Sequence, residues 1–435
     1  MAVRSGDRYE AAMATPGGNV TGQAVEHPFF FDGFLQHPEQ AAQAMLLVSR
    51  VARTRFFTPM SMVAARIRAA DPVVSCDGQN LRFESFSPCC GVYARLDLRP
   101  GSLDTAVALP GTTNVDFTDG MRGILAGIGG TDPLHLNVGE AVTATSLAGT
   151  AVEEKVPLPD RWIKGFAEAQ LSGSRVAERL AVTPAAARQF VRSLPATSAP
   201  NGPSFGVAPT ATGLRLTSAT TPGSVVRLGG PERLRILEPL LRFATALRVS
   251  GPAGGDTAMS QWQLDLADAH LTLALSPTPS RGFSGEGKAL DALAGETDEE
   301  EGDAVLASLS TNTTPTAIAA DLGYAIEQVI AVLDRLGAAG LIGYDAGIGE
   351  YFHRELPLRP SQKLQPRLAG AHRLVAKGAV TLGDQGGEVA SGSSVYQVRD
   401  GDVISCTCPW FAQYRLERGP CKHLLAVRLA KKSLQ

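Results

Sequence analysis

The sequence has no apolar run long enough to span a bilayer. Ala41 to Val51 comes nearest, and polar residues break it well short of the roughly 20 residues a spanning helix needs. Met1 to Gln23 lacks the basic start and apolar core of a secretory signal, and reads instead as a disordered tail rich in Gly, Thr and Ala. The expected compartment is the cytoplasm, with no membrane partner. Cysteine is sparse. Cys76, Cys89 and Cys90 form an early group and Cys406, Cys408 and Cys421 a late one. Odd counts in a reducing compartment exclude a disulfide framework, and the early three read as buried small hydrophobes. No paired-carboxylate motif is present, and Arg281 to Gly287, although followed by Lys288, does not fit a phosphate-binding loop. Gly202-Pro203-Ser204-Phe205-Gly206 matches the letters of a nucleophile elbow. The Pro-rich stretch before it and Pro209 after it exclude the strand and helix that an elbow needs. The scattered histidines offer only Asp268 beside His270 as a carboxylate pairing. The expectation is a chain that is not an enzyme.

What is present is a soluble, globular composition of 435 residues, enough for about two to four domains. The net charge of −3 is unevenly spread: residues 361–435 carry eleven Lys/Arg against five Asp/Glu, a net of +6 on an otherwise acidic body. The expected fold class is α+β and multidomain. It comprises mixed β-rich N-terminal units, a winged-helix-like segment and a small C-terminal zinc module. After the tail at 1–24, a mixed unit covers 25–200. Pro38 opens a helix to about Arg53, with Ala41, Ala44, Met45, Val48, Val51 and Ala52 on one face. Val73 to Cys76, an Asp77-Gly78 turn and Leu81 to Glu84 predict a hairpin. Val92 to Leu98 alternates strictly, predicting one buried and one wet face. Residues 161–194 read as mostly helical, and the Pro-rich 195–203 reads as a linker. A second α/β unit, 201–295, holds a predicted helix at 231–248 and a hairpin of Trp262 to Leu266 with His270 to Leu275. The acidic run 296–303 predicts a solvated linker.

Residues 304–358 have a helix–helix–helix–hairpin rhythm that resembles a winged helix-turn-helix. Its third helix offers Glu327, Gln328, Asp334 and Arg335, poor chemistry for phosphates and base edges. Protein packing is the favoured role.

The strongest signal lies in 359–435. Cys406-Thr407-Cys408, twelve residues, then Cys421-Lys422-His423 is a set of three thiols and one imidazole, donors suited to a closed tetrahedral zinc site. Alternate residues of a strand aim Cys406 and Cys408 at one ion, whereas helical positions two apart diverge by about 200°. Cys421 is expected after the Gly419-Pro420 turn, and His423 in the first turn of a short helix. With the Tyr396-Gln397-Val398 strand before it and Gly419 to Val427 at its end, this stretch resembles a SWIM zinc finger. The resemblance implies zinc ligation by Cys406, Cys408, Cys421 and His423, and an association with DNA binding and protein–protein contacts. The whole layout, with Gly111 to Phe117 and Arg281 to Gly287, also resembles bacterial proteins that accompany MoxR-type AAA+ ATPases and von Willebrand A-domain (VWA) proteins. The expected function is a zinc-binding interaction protein, an adaptor or scaffold for a protein partner. The alternative is nucleic-acid binding through Arg415, Arg418, Lys422, Arg428, Lys431 and Lys432.

Overall fold

The computed structural model describes residues 29–56, 72–197, 205–218, 226–252, 259–279, 282–283, 288–293, 299–309, 313–356, 366–416 and 419–433. The expected tail at 1–24, much of the 195–203 linker, and most of Arg281 to Gly287 lie outside them. The chain is α+β and multidomain, as its composition and patterning predict. Two compact units interleave in sequence. One gathers Met1–Trp162, Ser172–Phe283 and Tyr344–Glu355; the other gathers Ile163–Leu171, Ser284–Gly343 and Leu356–Gln435.

An eight-stranded sheet dominates the first unit. Its strand order is Val176–Val182, Ala246–Pro252, Ser260–Leu266, Ala269–Leu275, Val92–Leu98, Leu81–Phe86, Val73–Asp77 and Pro110–Asn114. It therefore takes strands from both sides of the Pro-rich stretch at 195–203. The central join is antiparallel, with Leu271 opposite Leu96. A five-stranded sheet, ordered Leu103–Ala108, Phe29–Leu35, His135–Gly139, Val142–Ser146 and Gly149–Glu153, and a three-stranded sheet complete the unit. The helix Pro38–Arg53 forms where its apolar spacing places it and buries Ala41, Ala44, Met45, Val48, Val51 and Ala52. The Asp77-Gly78 turn works through the Asp77 carboxylate, which accepts from the amides of Gln79 and Asn80, while Gly78 takes a φ of +92°. Trp262 stacks on Phe190 at 5.7 Å between centroids in the core.

Several expectations need correction. Val92–Leu98 has no wet face: all seven residues are buried. The helical stretch expected at 161–194 is broken by a strand, Val176–Val182, between the helices Asp160–Gly173 and Pro184–Ser193. Ser172-Gly173-Ser174 stops the first helix, and pairing with Ala246–Pro252 holds the strand. The helix expected over 231–248 is a 3-10 helix, Pro231–Leu240, followed by that same strand. Pro239 lacks the amide a longer helix needs, and Leu247 and Val249 alternate into the core. The acidic linker expected at 296–303 is in part helical, since Glu299–Ser308 begins inside it. Acidic residues suit the positive end of a helix dipole.

In the second unit the expected helical rhythm is present as Glu299–Ser308, Pro315–Leu322 and Ile326–Ala338. Thr314 caps the middle helix by accepting from the Ala317 amide, and Gly323, at φ +70°, ends it. Val329, Val332, Leu333 and Leu336 of the third helix are buried. The hairpin Ile342–Asp345 with Glu350–His353 follows, and the segment Tyr344–Glu355, which holds most of it, belongs to the first unit. The C-terminal part of the second unit is a helix, Pro366–Ala376, a four-stranded meander (Val380–Gly383, Gly386–Ser391, Ser394–Asp400, Ile404–Cys406), and two short helices. Among the described residues no single helix is long and apolar enough to cross a membrane.

Candidate metal centre

The four ligand-type side chains arrive from three local structures. Cys406 ends the strand Ile404–Cys406, opposite Val398. Cys408 is the N-cap of the helix Pro409–Tyr414, so Pro409 does not merely end the strand but opens a helix at its first position. Cys421 caps the helix Lys422–Lys432, after Gly419 has turned the chain at φ +72°. His423 lies in the first turn of that helix. The Sγ atoms of Cys408 and Cys421 each accept an amide N–H, from Phe411 and Leu424, at 3.4 Å. All four residues are buried.

The donor atoms lie within 4.8 Å of one another. Cys406 Sγ and His423 Nδ1 are 3.9 Å apart. Two ligands of a tetrahedral zinc, at the usual Zn–S and Zn–N lengths, stand about 3.6 Å apart. The ring of His423 is held by stacking on Tyr396, with centroids 4.2 Å apart.

The charges fit a dication. A hydrogen bond from Cys406, with the Leu424 amide assisting, pulls the Cys421 thiol down to about 4. The same bond raises Cys406, and burial raises Cys408. Three thiolates this close repel one another, so ionising all three calls for positive charge among them. Thiolate sulfur and imidazole nitrogen are zinc donors, so the residues present suit the ion that the sequence implies. Cys76 and Cys90 do behave as buried apolar groups, burial pushing their thiols up to about 11 and about 12. Cys89 is half-buried, its sulfur 3.4 Å from Ser87 Oγ.

A second cluster, unrecognised in the sequence, occupies the first unit. His270 Nε2 lies 3.0 Å from Asp97 and 2.9 Å from Asp345. Its expected neighbour in the hairpin turn, Asp268, instead approaches His37 at 3.6 Å. Asp97, His270 and Asp345 are close enough to share a metal, but cations already serve them. Arg82 reaches Asp77 at 2.6 Å and Asp97 at 2.9 Å; Arg95 reaches Asp97 at 2.7 Å and Asp345 at 2.9 Å. Burial opposes charge on His270, yet Asp97 and Asp345 outweigh it and push the imidazole up to about 9. The cluster is a neutralised ion network, a structural device.

Beside the metal-ligand set lies a cleft of about 300 Å³ lined by Arg367, Tyr396, Trp410 and Lys422 together with Cys408, Pro409, Cys421 and His423. Arg367 and Trp410 carry no motif spacing, and Tyr396 is legible only as part of a strand; only a signal for their proximity, absent from one sequence, could have joined them.

Residues 380–432 match the SWIM zinc finger family. No curated protein matches the chain. Among solved structures, the crystal structure of Proliferating Cellular Nuclear Antigen from Entamoeba histolytica is similar to it at 12% identity and a TM-score of 0.38, over 57% of this chain and 98% of that one.

Proposed function

We propose that the chain is a non-enzymatic adaptor or scaffold whose C-terminal SWIM zinc finger is a structural, protein-docking module. Zinc would be held by Cys406, Cys408, Cys421 and His423, four protein donors that leave no coordination position for a substrate. The ion supplies cross-linking between a strand end and two helix starts; the chain's own residues do the rest, burying the donors and orienting His423 against Tyr396.

The observation that carries the protein-docking reading is the use of two of the tail's cations, Arg428 and Lys431, inside the module. Arg428 grips the Asp400 carboxylate at 2.9 Å through Nη2 and 3.1 Å through Nε, and Lys431 Nζ donates to the Asp400 carbonyl at 3.2 Å. Arg428, committed to an internal carboxylate, has little left for phosphates, and Lys431 is turned to the same residue. The carboxylates of Glu327 and Asp334 on the third helix support the same reading, since they would repel a phosphate backbone. A MoxR-type AAA+ ATPase or a VWA-domain protein is the partner class proposed, in the cytoplasm.

The test is affinity capture from the native host after nuclease treatment. Recovery of a stoichiometric ATPase or A-domain partner supports the adaptor. Recovery that vanishes with nuclease overturns it in favour of nucleic-acid binding, the second reading, which the net +6 of residues 361–435 favours. Nucleic-acid affinity would then fall steeply with salt.

A further inference from the structure

The cleft beside the metal-ligand set is lined by two cations, Arg367 and Lys422, and by the rings of Tyr396 and Trp410. One face of each ring is in use: Arg367 lies over Trp410 at 4.5 Å from its centroid, and Tyr396 stacks on His423. Hydrogen-bond capacity, by contrast, is unspent. Trp410 Nε1 and His423 Nε2 are both buried with no hydrogen-bond partner among the described residues, and His423 is only 4% exposed. Indole nitrogen can only donate. The Nδ1 of His423 faces the Cys406 sulfur, so with Nδ1 on the metal the other nitrogen carries the proton and donates. A metal-bound histidine commonly gives that proton to a carboxylate or carbonyl.

Resting on the protein-docking function proposed above, we infer that this cleft takes a carboxylate side chain of a partner polypeptide. The oxyanion accepts from Trp410 Nε1–H and His423 Nε2–H, with Lys422 and Arg367 supplying opposite charge. Arg367 is itself positioned by donating to the Pro420 carbonyl at 2.7 Å. Two N–H donors and two cations around one small space match an acidic side chain in charge and in hydrogen-bond sense.

The test uses the zinc-loaded full chain labelled with 15N in tryptophan and histidine, the Trp410 indole signal being assigned by its loss in Trp410→Phe. Three probes are added: acetyl-Glu-Leu-Glu-Leu-Glu, the same peptide with glutamine for glutamate and an amidated end, and a twelve-base oligothymidine. The acidic peptide is expected to shift the Trp410 indole and His423 Nε2 signals; the glutamine peptide is not. Trp410→Phe and Lys422→Gln should each weaken binding about tenfold or more, as expected for lost charge-assisted hydrogen bonds. Lys422→Arg should keep binding, and all variants should keep their zinc. An unmoved Trp410 signal at millimolar acidic peptide overturns the inference, as does equal binding of the glutamine peptide. A stronger response to the oligothymidine assigns the cleft to nucleic acid and overturns it too. If the variants lose zinc, the peptide titration of the wild type alone decides. Should host capture recover a protein partner while Trp410 stays unmoved, the docking function stands and only the cleft assignment falls.

Discussion

Arg354 Nη1 donates to Glu84 Oε1 at 2.6 Å across 270 residues of sequence, and both side chains are shut away from solvent. The same carboxylate oxygen accepts from Tyr93 Oη. Here the hairpin segment 344–355 is fastened to the otherwise polar face of the eight-stranded sheet, with Phe352 lying 3.7 Å under the Arg82 guanidinium. Removing one member of a buried ion pair strands the other. Arg354→Met is therefore expected to destabilise the first unit by about 3–5 kcal/mol in urea unfolding. Combining it with Glu84→Gln should cost clearly less than the two single changes added together. A loss below about 1 kcal/mol for Arg354→Met would show that the pair is not what holds this segment.

The ion network predicts a pH dependence with a definite sign. His270 has a folded value of about 9 against an ordinary value of 6.5. A raised value means that the folded state holds its proton more tightly than the unfolded chain. The stabilisation is thus complete below pH 6.5 and is lost as pH rises through about 9. The shift corresponds to roughly 3 kcal/mol. Denaturant midpoints measured from pH 6 to pH 10 should fall across that window, and His270→Gln should flatten the fall. A wild-type midpoint that is level from pH 6 to pH 9 would contradict protonation of this imidazole.

This network also marks where the sequence stopped being informative. Alternation of Val92, Ala94, Leu96 and Leu98 was legible, because a strand has only two faces. That Tyr93, Arg95 and Asp97 would also be buried was not. Arg95 meets Asp345 and the Tyr344 carbonyl about 250 residues away, and nothing local announces that pairing. Likewise the helix Pro38–Arg53 could be read from its spacing, whereas Val176–Val182 is a strand because of its pairing with Ala246–Pro252. The ligand set Cys406, Cys408, Cys421 and His423 was visible because metal chemistry demands few residue types at close spacing. The cleft beside it was not, since Arg367 reaches it from a helix 40 residues earlier than the first cysteine.

Gly282 belongs to a stretch whose glycines could have served an anion or a turn. A Cβ built on it would stand 2.4 Å from the Cys89 carbonyl oxygen and 2.6 Å from the Cys90 carbonyl carbon, both backbone atoms. Phe283 N–H donates to the Cys90 carbonyl at 2.7 Å, which fixes the approach. Gly282→Ala must push the two segments apart and is expected to cost about 1–3 kcal/mol, the usual range for overpacking. Thermal unfolding beside wild type measures it, and an unchanged midpoint would mean the segments yield freely.

The zinc finger offers the most direct test. Its core is small: Val389, Val398, Phe411, Leu424 and Val427 cluster with the three thiols themselves. Without a cation the thiols would sit there as buried polar groups, and little apolar area would remain to hold the meander against its helices. Loss of the metal should therefore unfold this module and leave the first unit intact, since that unit has its own large core. Elemental analysis is expected to give one zinc per chain in wild type, and less than about half an equivalent in Cys408→Ser. Hydrogen exchange should then show lost protection over Ser394–Asp400 and Lys422–Lys432, with Val92–Leu98 and Ala269–Leu275 unchanged. A Cys408→Ser chain that keeps both its zinc and its protection would remove Cys408 from the ligand set. Zinc lost with protection retained would instead make the apolar cluster, and not the ion, the source of the module's stability.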